Sequence, residues 1–496
     1  MSFLLGYDIG SSSIKAALLD ASGGRCLATA TGSDDELRIR VPKPGFAEQD
    51  PEMWWEEVVK ATRRLQQQHP FDAAAVKGIG IAYQMHGLVC VDENLAVLRP
   101  SIIWCDSRAV QTGDEAAKQL GSDYTLPHLL NSPGNFTASK LRWVQQHEPE
   151  VYAKIRHIML PGDFIAMRLT GVPATTLSGL SEGIFWDFAA GKVSDKLLQL
   201  YGIDASLLSP IVPTFGEQGR VTKAAAELLG LKDGTPVTYR AGDQPNNAFS
   251  LNVLQPGEAA TTAGTSGVVY AVGSEPAYDA ESRVNTFIHV NNTVEETRNG
   301  VLMCLNGTGI LNSWLRQVSG GISYDKMNSL AEQAPPGAEG LRVFPFGNGA
   351  ERILANRLPG ASVQGLDFGI HSQGHLLRAG QEGIVFALAY GMDIMREMGL
   401  SFHRVRAGKA NMFLSPLFRE AFANTTGAEI ELYNTDGAQG AARGAGVGAG
   451  VFSSFKEAFR GMDLLEAIAP DARVQSAYQE AYADWKIKLQ QILSNR

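Results

Sequence analysis

The stretch FLLGYDIGSSSIKAALLD, residues 3–20, is two apolar runs joined by four small residues. Residues 3–9 and 14–19 read as strands, and Gly10 with three serines reads as the tight turn between them. A second stretch, GEAATTAGTSGVVYAV at 257–272, has the same grammar: strand, Gly-Thr-Ser-Gly turn, strand. Hairpins are common. Two with small polar tips, one near the start and one past the midpoint, point to an internal duplication. Pro256 and Gly257 punctuate the chain where the second copy begins, so the boundary between halves is expected near 252–257.

Outward from the hairpins, residues 51–69 and 139–147 read as helices and residues 76–83 and 89–92 as apolar strands. The second half carries long helical patterns at 374–398 and 415–424. AQGAARGAGVGAG at 438–450 follows, whose small residues permit either close helix packing or a close ligand approach. Strands and helices mix throughout, so the class is α/β. The last ~35 residues read as polar helices lying on the surface.

A chain of 496 residues is too long for one core, and two or three domains are expected. Hydrophobic residues make up 44% and charged residues 19%, as in a globular protein rather than a disordered one. The net charge of −9 comes without a block of like charges, which argues against a nucleic-acid surface. Cys26, Cys90, Cys105 and Cys304 form no CxxC pair, so reduced thiols are expected. The opening MSFLLGYDIG reaches Asp8 too soon for a signal peptide. No run of ~18 apolar residues is present, so no membrane partner is expected and the cytoplasm is the expected location.

RAGDQPNNAFSL, residues 240–251, holds one acid, Asp243, at the end of an apolar run. A carboxylate there costs free energy unless it is paired or in use. At 6–15, backbone N–H groups and serine hydroxyls of the turn can cradle phosphate oxygens, and Asp8 can hold Mg²⁺ through water; an ordinary hairpin is the plain alternative. The Gly264–Gly267 turn poses the same choice. QMHG (84–87) ends a strand, where His86 can donate to a sugar hydroxyl or be structural. WCDSR (104–108) offers an aromatic face, an acid and a guanidinium, or a surface salt bridge beside a core tryptophan. GLSEG (179–183) matches GxSxG, but no apolar strand precedes it and no small-residue helix follows, so the match is chance. GxxxxGK[ST], HExxH and GxGxxG are absent.

Taken in order, FAEQDPEMWW (46–55), QMHG, Trp104-Cys105-Asp106, FTASKLRWVQQHEPE (136–150), LPGDF (160–164), AGDQ (241–244), AGTSG (263–267) and GAARGAG (440–446) resemble the FGGY carbohydrate kinases, and most closely those acting on xylulose. The resemblance runs from residue 6 to about 450. It implies two ribonuclease H-like domains of the actin, sugar-kinase and Hsp70 superfamily, with the active site in the cleft between them: 1–252 on the sugar side, 253–455 on the nucleotide side, then a helical tail, 456–496.

The function so implied is ATP-dependent phosphorylation of a ketopentose, D-xylulose favoured, with another ketose or polyol (ribulose, fuculose) or a non-catalytic sensor as alternatives. Asp243 falls on the family's general base. Met85, His86, Trp104, Asp106 and Gln244 fall on its sugar side. Gly10, Ser11, Ser12, Lys15, Gly264, Thr265, Gly307, Ala410 and Asn411 fall on its nucleotide side, and Asp8 on the acid near Mg²⁺. ATP, Mg²⁺ and a small sugar are the implied partners, and a homodimer is the family's expectation alone. Two departures stand out. Asn135 holds the first position of the signature around Lys140, and ANMFLS (410–415) replaces a glycine-rich strand end near adenine.

Overall fold

The structure, a computed structural model, describes residues 1–494. It divides into two compact units. Unit 1 is 1–252 with 287–299 and 435–462; unit 2 is 253–286 with 300–434 and 463–496.

Unit 1 is built on a five-stranded sheet. β1 (Phe3–Ile9) and β2 (Ile14–Asp20) form the antiparallel hairpin, and β3 (Cys26–Thr31) extends it. On the other side β4 (Val76–Tyr83) runs parallel to β1, and β5 (Val237–Gly242) parallel to β4. The sheet order is β5-β4-β1-β2-β3. Leu4, Leu5, Ile79 and Ile81 are wholly buried, as both faces of a parallel sheet must be. One face is covered by the helix Gly437–Gly448. Its small residues serve packing: a Cβ on Gly448 would sit 1.9 Å from the Thr238 carbonyl oxygen, and one on Gly444 2.5 Å from Tyr239 Cγ. Of the two readings of the glycine-rich segment, the structure selects close packing.

Unit 2 repeats the plan. β6 (Glu258–Ala263) and β7 (Gly267–Gly273) form the hairpin. β8 (Asn285–Ile288) and β9 (Asn299–Leu305) continue the β7 side. β10 (Arg404–Gly408) and β11 (Glu429–Tyr433) lie parallel beyond β6, and β12 (Leu464–Ile468) closes the edge antiparallel. The order β9-β7-β6-β10-β11 matches β3-β2-β1-β4-β5 strand for strand, so the duplication read from the two hairpins extends through the sheet.

The division differs from the expected one at the C-terminal end. Residues 435–462 group with unit 1, because the helix Gly437–Gly448 has its packing partners on β1, β4 and β5. The last segment is not a set of surface helices either. β12 joins the sheet, and the helix Gln475–Ser494 buries Tyr478, Ala481, Tyr482, Trp485 and Leu489. Their spacing is one apolar stripe, diluted by the polar residues between them. Trp485 is fully buried and its Nε1 donates to the Val343 carbonyl at 3.0 Å.

Candidate active site

Three parallel strands of unit 1 end side by side. β1 reaches Asp8 and Ile9, β4 reaches Tyr83 before Gln84-Met85-His86, and β5 reaches Gly242 before Asp243. Open α/β sheets bind ligands outside the carboxyl ends of such strands. Asp243 is the first residue of the helix Asp243–Ser250 and is half-buried. Desolvation, then repulsion from Asp8, raises its carboxyl to about 7, against N–H groups of Gln244 that favour the anion. Asp8 is raised to about 6 by desolvation and then by Asp436, while Lys15, opposite it in the β1–β2 register, opposes the rise. Two carboxyls held close enough to repel each other and half open to ligand form a cation-seeking pair. Among the described residues no three His, Cys, Asp or Glu side chains converge as a ready-made metal cage. Mg²⁺ needs none, since it binds through one or two carboxylates plus phosphate oxygens and water.

Met85 is buried and His86 has φ of 60°, an uncommon conformation for a residue with a side chain. The turn is clamped from both sides. Lys140, fully buried, donates to the carbonyls of His86 at 2.8 Å and Ile103 at 3.1 Å. Burial lowers its ammonium to about 7, against the pull of Asp106. On the other side the His86 amide donates to Glu182 Oε1 at 3.3 Å. His86 Nδ1 lies 2.9 Å from the Glu182 carbonyl oxygen. A carbonyl only accepts, so Nδ1 carries a proton. The Glu182 carboxyl is held well above the usual range by burial, with Asp243 and Asp163 adding to the rise. It lies under the Asp243 corner: a Cβ on Gly242 would meet its Oε2 at 2.5 Å. Glu182 is the glutamate of GLSEG, and its role was not legible in that motif. Ser181 there donates to the Ser178 carbonyl inside the short helix Leu177–Glu182, so no nucleophile elbow forms.

The WCDSR segment inverts the plain reading of it. Trp104 is half-exposed and its Nε1 donates to Ser11 Oγ at 3.2 Å, tying the loop to the tip of the first hairpin. Asp106 is the buried partner: its carboxylate takes the Ala47 amide and the Arg108 side chain, and Arg108 lies 3.9 Å from the Phe46 ring centroid. Asn135 donates to the Asp106 backbone carbonyl. With these acceptors committed inward, Asp106 braces the loop. The turn Gly10-Ser11-Ser12 is itself held, with Gly10 N–H donating to Ser13 O at 3.1 Å and Gln49 Nε2 to Ser11 O at 2.7 Å.

In unit 2 the second hairpin tip is fixed to the helix Gly309–Val318. The Gly264 carbonyl accepts from Gly309 N–H and from Thr308 Oγ1, each at 2.8 Å, and the Thr265 carbonyl accepts from Ile310 N–H at 3.3 Å. Beside it opens a cavity of about 590 Å³ lined by Gly264, Thr265, Gly309, Asn312, Ser313, Tyr324, Asp325, Asn328, Asn411, Met412, Leu414 and Ser415. That is the size of a small-ligand site. Gly307 does not line it; a Cβ there would meet the Pro345 carbonyl oxygen at 1.6 Å, so this glycine serves packing. Ala410 is exposed and outside the lining, whereas Asn411, with φ of 53°, is in it. Phe413 turns into the core against Phe418 and Phe422, while the buried Met412 still borders the cavity.

Two α/β units, each a hairpin extended by parallel strands, define the ribonuclease H-like architecture of the actin and sugar-kinase class. The chain belongs to the FGGY family of carbohydrate kinases, whose N-terminal domain matches residues 3–250 and whose C-terminal domain matches residues 259–451. It is 30% identical over 498 residues to a xylulose kinase of Escherichia coli (strain K12), covering 99% of each chain. It is 29% identical over 411 residues to one of Bacillus subtilis (strain 168), covering 82% of this chain and 80% of that one. The crystal structure of xylulose kinase from Rhodospirillum rubrum matches with a TM-score of 0.88 at 25% identity, covering 99% of each chain. Among the described residues no helix is long and apolar enough to cross a membrane.

Proposed function

We propose that this chain transfers the γ-phosphoryl group of ATP to D-xylulose, giving D-xylulose 5-phosphate and ADP. The observation that carries the reading is Asp243: an acid at a strand end, first in its helix, with its carboxyl raised to about 7. A general base works best with its pKa near the working pH. Asp243 takes the proton of the attacking hydroxyl as the new O–P bond forms and the bond to the bridging oxygen of ADP breaks, roughly in line. Gln244, beside it, and the Met85-His86 turn orient the sugar. Trp104 gives the sugar an aromatic face.

Unit 2 holds the nucleotide. Its base enters the cavity bounded by Asn312, Asn328 and Asn411, and its phosphates meet the Gly264-Thr265 tip. Ser11, Ser12 and Lys15 supply further donors from the first hairpin. Asp8 would hold Mg²⁺, which when bound neutralises phosphate charge. Four free cysteines suit a reducing cytoplasm, and a homodimer is the assembly to test by light scattering. The function is tested by ADP release across ketoses, polyols and aldopentoses. D-Xylulose should give the highest kcat/KM and aldopentoses none. A tenfold advantage for ribulose or fuculose would move the substrate to that sugar.

A further inference from the structure

One wall of the unit 2 cavity carries a chain of polar groups whose direction is set from its far end. Ser415 caps the helix Pro416–Thr426, its Oγ accepting the Phe418 amide at 3.3 Å. Ser415 is buried, so its hydroxyl hydrogen needs an acceptor of its own. Gln381 Oε1 supplies it at 2.8 Å. Gln381 is buried too, on the long helix Gln373–Glu397. With its oxygen committed to the serine, its Nε2 points the other way and donates to Asn328 Oδ1 at 2.9 Å. Turning the Gln381 amide over would set an N–H donor against the Ser415 hydroxyl and cost that proton its protein acceptor, leaving it only the cavity to donate into. The direction therefore passes from cap to glutamine to asparagine. Asn328 lines the cavity, and the part of its amide left for a ligand is Nδ2, which only donates.

We propose that this relay makes the base pocket a hydrogen-bond donor at Asn328, with Gln381 as a specificity-determining residue, so that 6-oxopurine nucleotides are used as readily as 6-aminopurine ones. The proposal rests on the placement of the nucleotide base in this cavity. The unprotonated purine ring nitrogens and a 6-oxo group accept from Nδ2; N1 of a 6-oxopurine carries a hydrogen and does not. The 6-amino group of adenine donates and would meet another donor. Asp325, the one carboxylate among the described residues of the lining, is exposed, where water competes for its hydrogen bonds and little discrimination results. ITP is the suitable probe, because it differs from ATP at position 6 and adds no 2-amino group.

The experiment compares kcat/KM for ATP and ITP at saturating xylulose, in the wild-type protein, in Gln381→Met and in Asn328→Ala. The wild type should use ITP within about tenfold of ATP, or better; binding sites lacking a matched partner discriminate by far more. Methionine at 381 fills nearly the same volume and removes the lock. Asn328 is then able to present Oδ1, and the ratio should move toward ATP by on the order of tenfold. A wild-type preference for ATP beyond tenfold overturns the proposal without needing any variant to fold. So does an unchanged ratio in a folded Gln381→Met. Asn328→Ala should raise KM for both nucleotides. If it leaves both unchanged while turnover persists, the base does not lie in this cavity, and the placement fails rather than the relay.

Discussion

Asp243 sits where a negative charge is hard to keep, half-buried and repelled by Asp8. That environment suits a base, and it makes the residue separable from its shape. Asparagine is nearly isosteric but takes no proton. Asp243→Asn should lower kcat by roughly 10²–10⁴ while leaving xylulose affinity intact. Near-normal turnover in steady-state assays would make Asp243 a structural acid. Glu351 is a different case, a buried acid with a stability consequence. Burial raises its carboxyl to about 7, against the Asn306 amide, which donates to it at 3.2 Å. The unfolded chain releases this proton near pH 4.5 and the folded one only near 7. Stability therefore falls as pH rises from 4.5 to 7 and then levels, by up to about 3 kcal/mol. Glu351→Gln keeps an acceptor for Asn306 and removes the titration. The melting temperature of the variant relative to wild type should climb between pH 4.5 and 7.5. A difference that is flat with pH would show that Glu351 ionises normally.

At the scale of elements, the helix Gly437–Gly448 and the strands beneath it are matched glycine to carbonyl. Alanine at Gly80 would drive its Cβ to 1.9 Å from the Ala441 carbonyl oxygen, a backbone atom that cannot rotate away. Gly80→Ala should cost about 3 kcal/mol, the upper part of the usual overpacking range. That is a melting-temperature drop of roughly 6–12 °C in a unit of this size. Calorimetry showing a change under 2 °C would mean that the helix shifts freely, and the packing account would fail. The hairpins and β4 were readable from apolar runs and turn residues, because a strand with both faces buried is apolar throughout and marks its own length. The position of the acid after β5 was readable for the same reason. The surroundings of Asp106, Gly307 and Ala410 were not, because burial, packing and the direction a side chain faces depend on neighbours distant in sequence.

At the scale of the whole molecule, the chain returns to where it began. Unit 1 takes its first 252 residues from one end and its covering helix from 435–462. A fragment of residues 1–252 leaves the β1-β4-β5 face open, and a parallel sheet exposed on one face does not persist in water. Expressed alone, this fragment should show no cooperative thermal transition by circular dichroism. A sharp melt comparable to that of the full chain would show that the sheet stands without the helix.

The sequence by itself determined the α/β class, the two hairpins and their duplication, and the place of Asp243, since each is written in a local pattern of apolar runs and turn residues. Only the tertiary structure decided that Asp106 faces inward, that Lys140 and Glu182 clamp the His86 turn, and that the last helix belongs to a core. Arg443 shows the reason. Its guanidinium donates to the carbonyl of Gly24, 419 residues away in sequence, at 2.7 Å. Burial and hydrogen-bond partnership are properties of pairs brought together by folding, and no spacing along the chain records them.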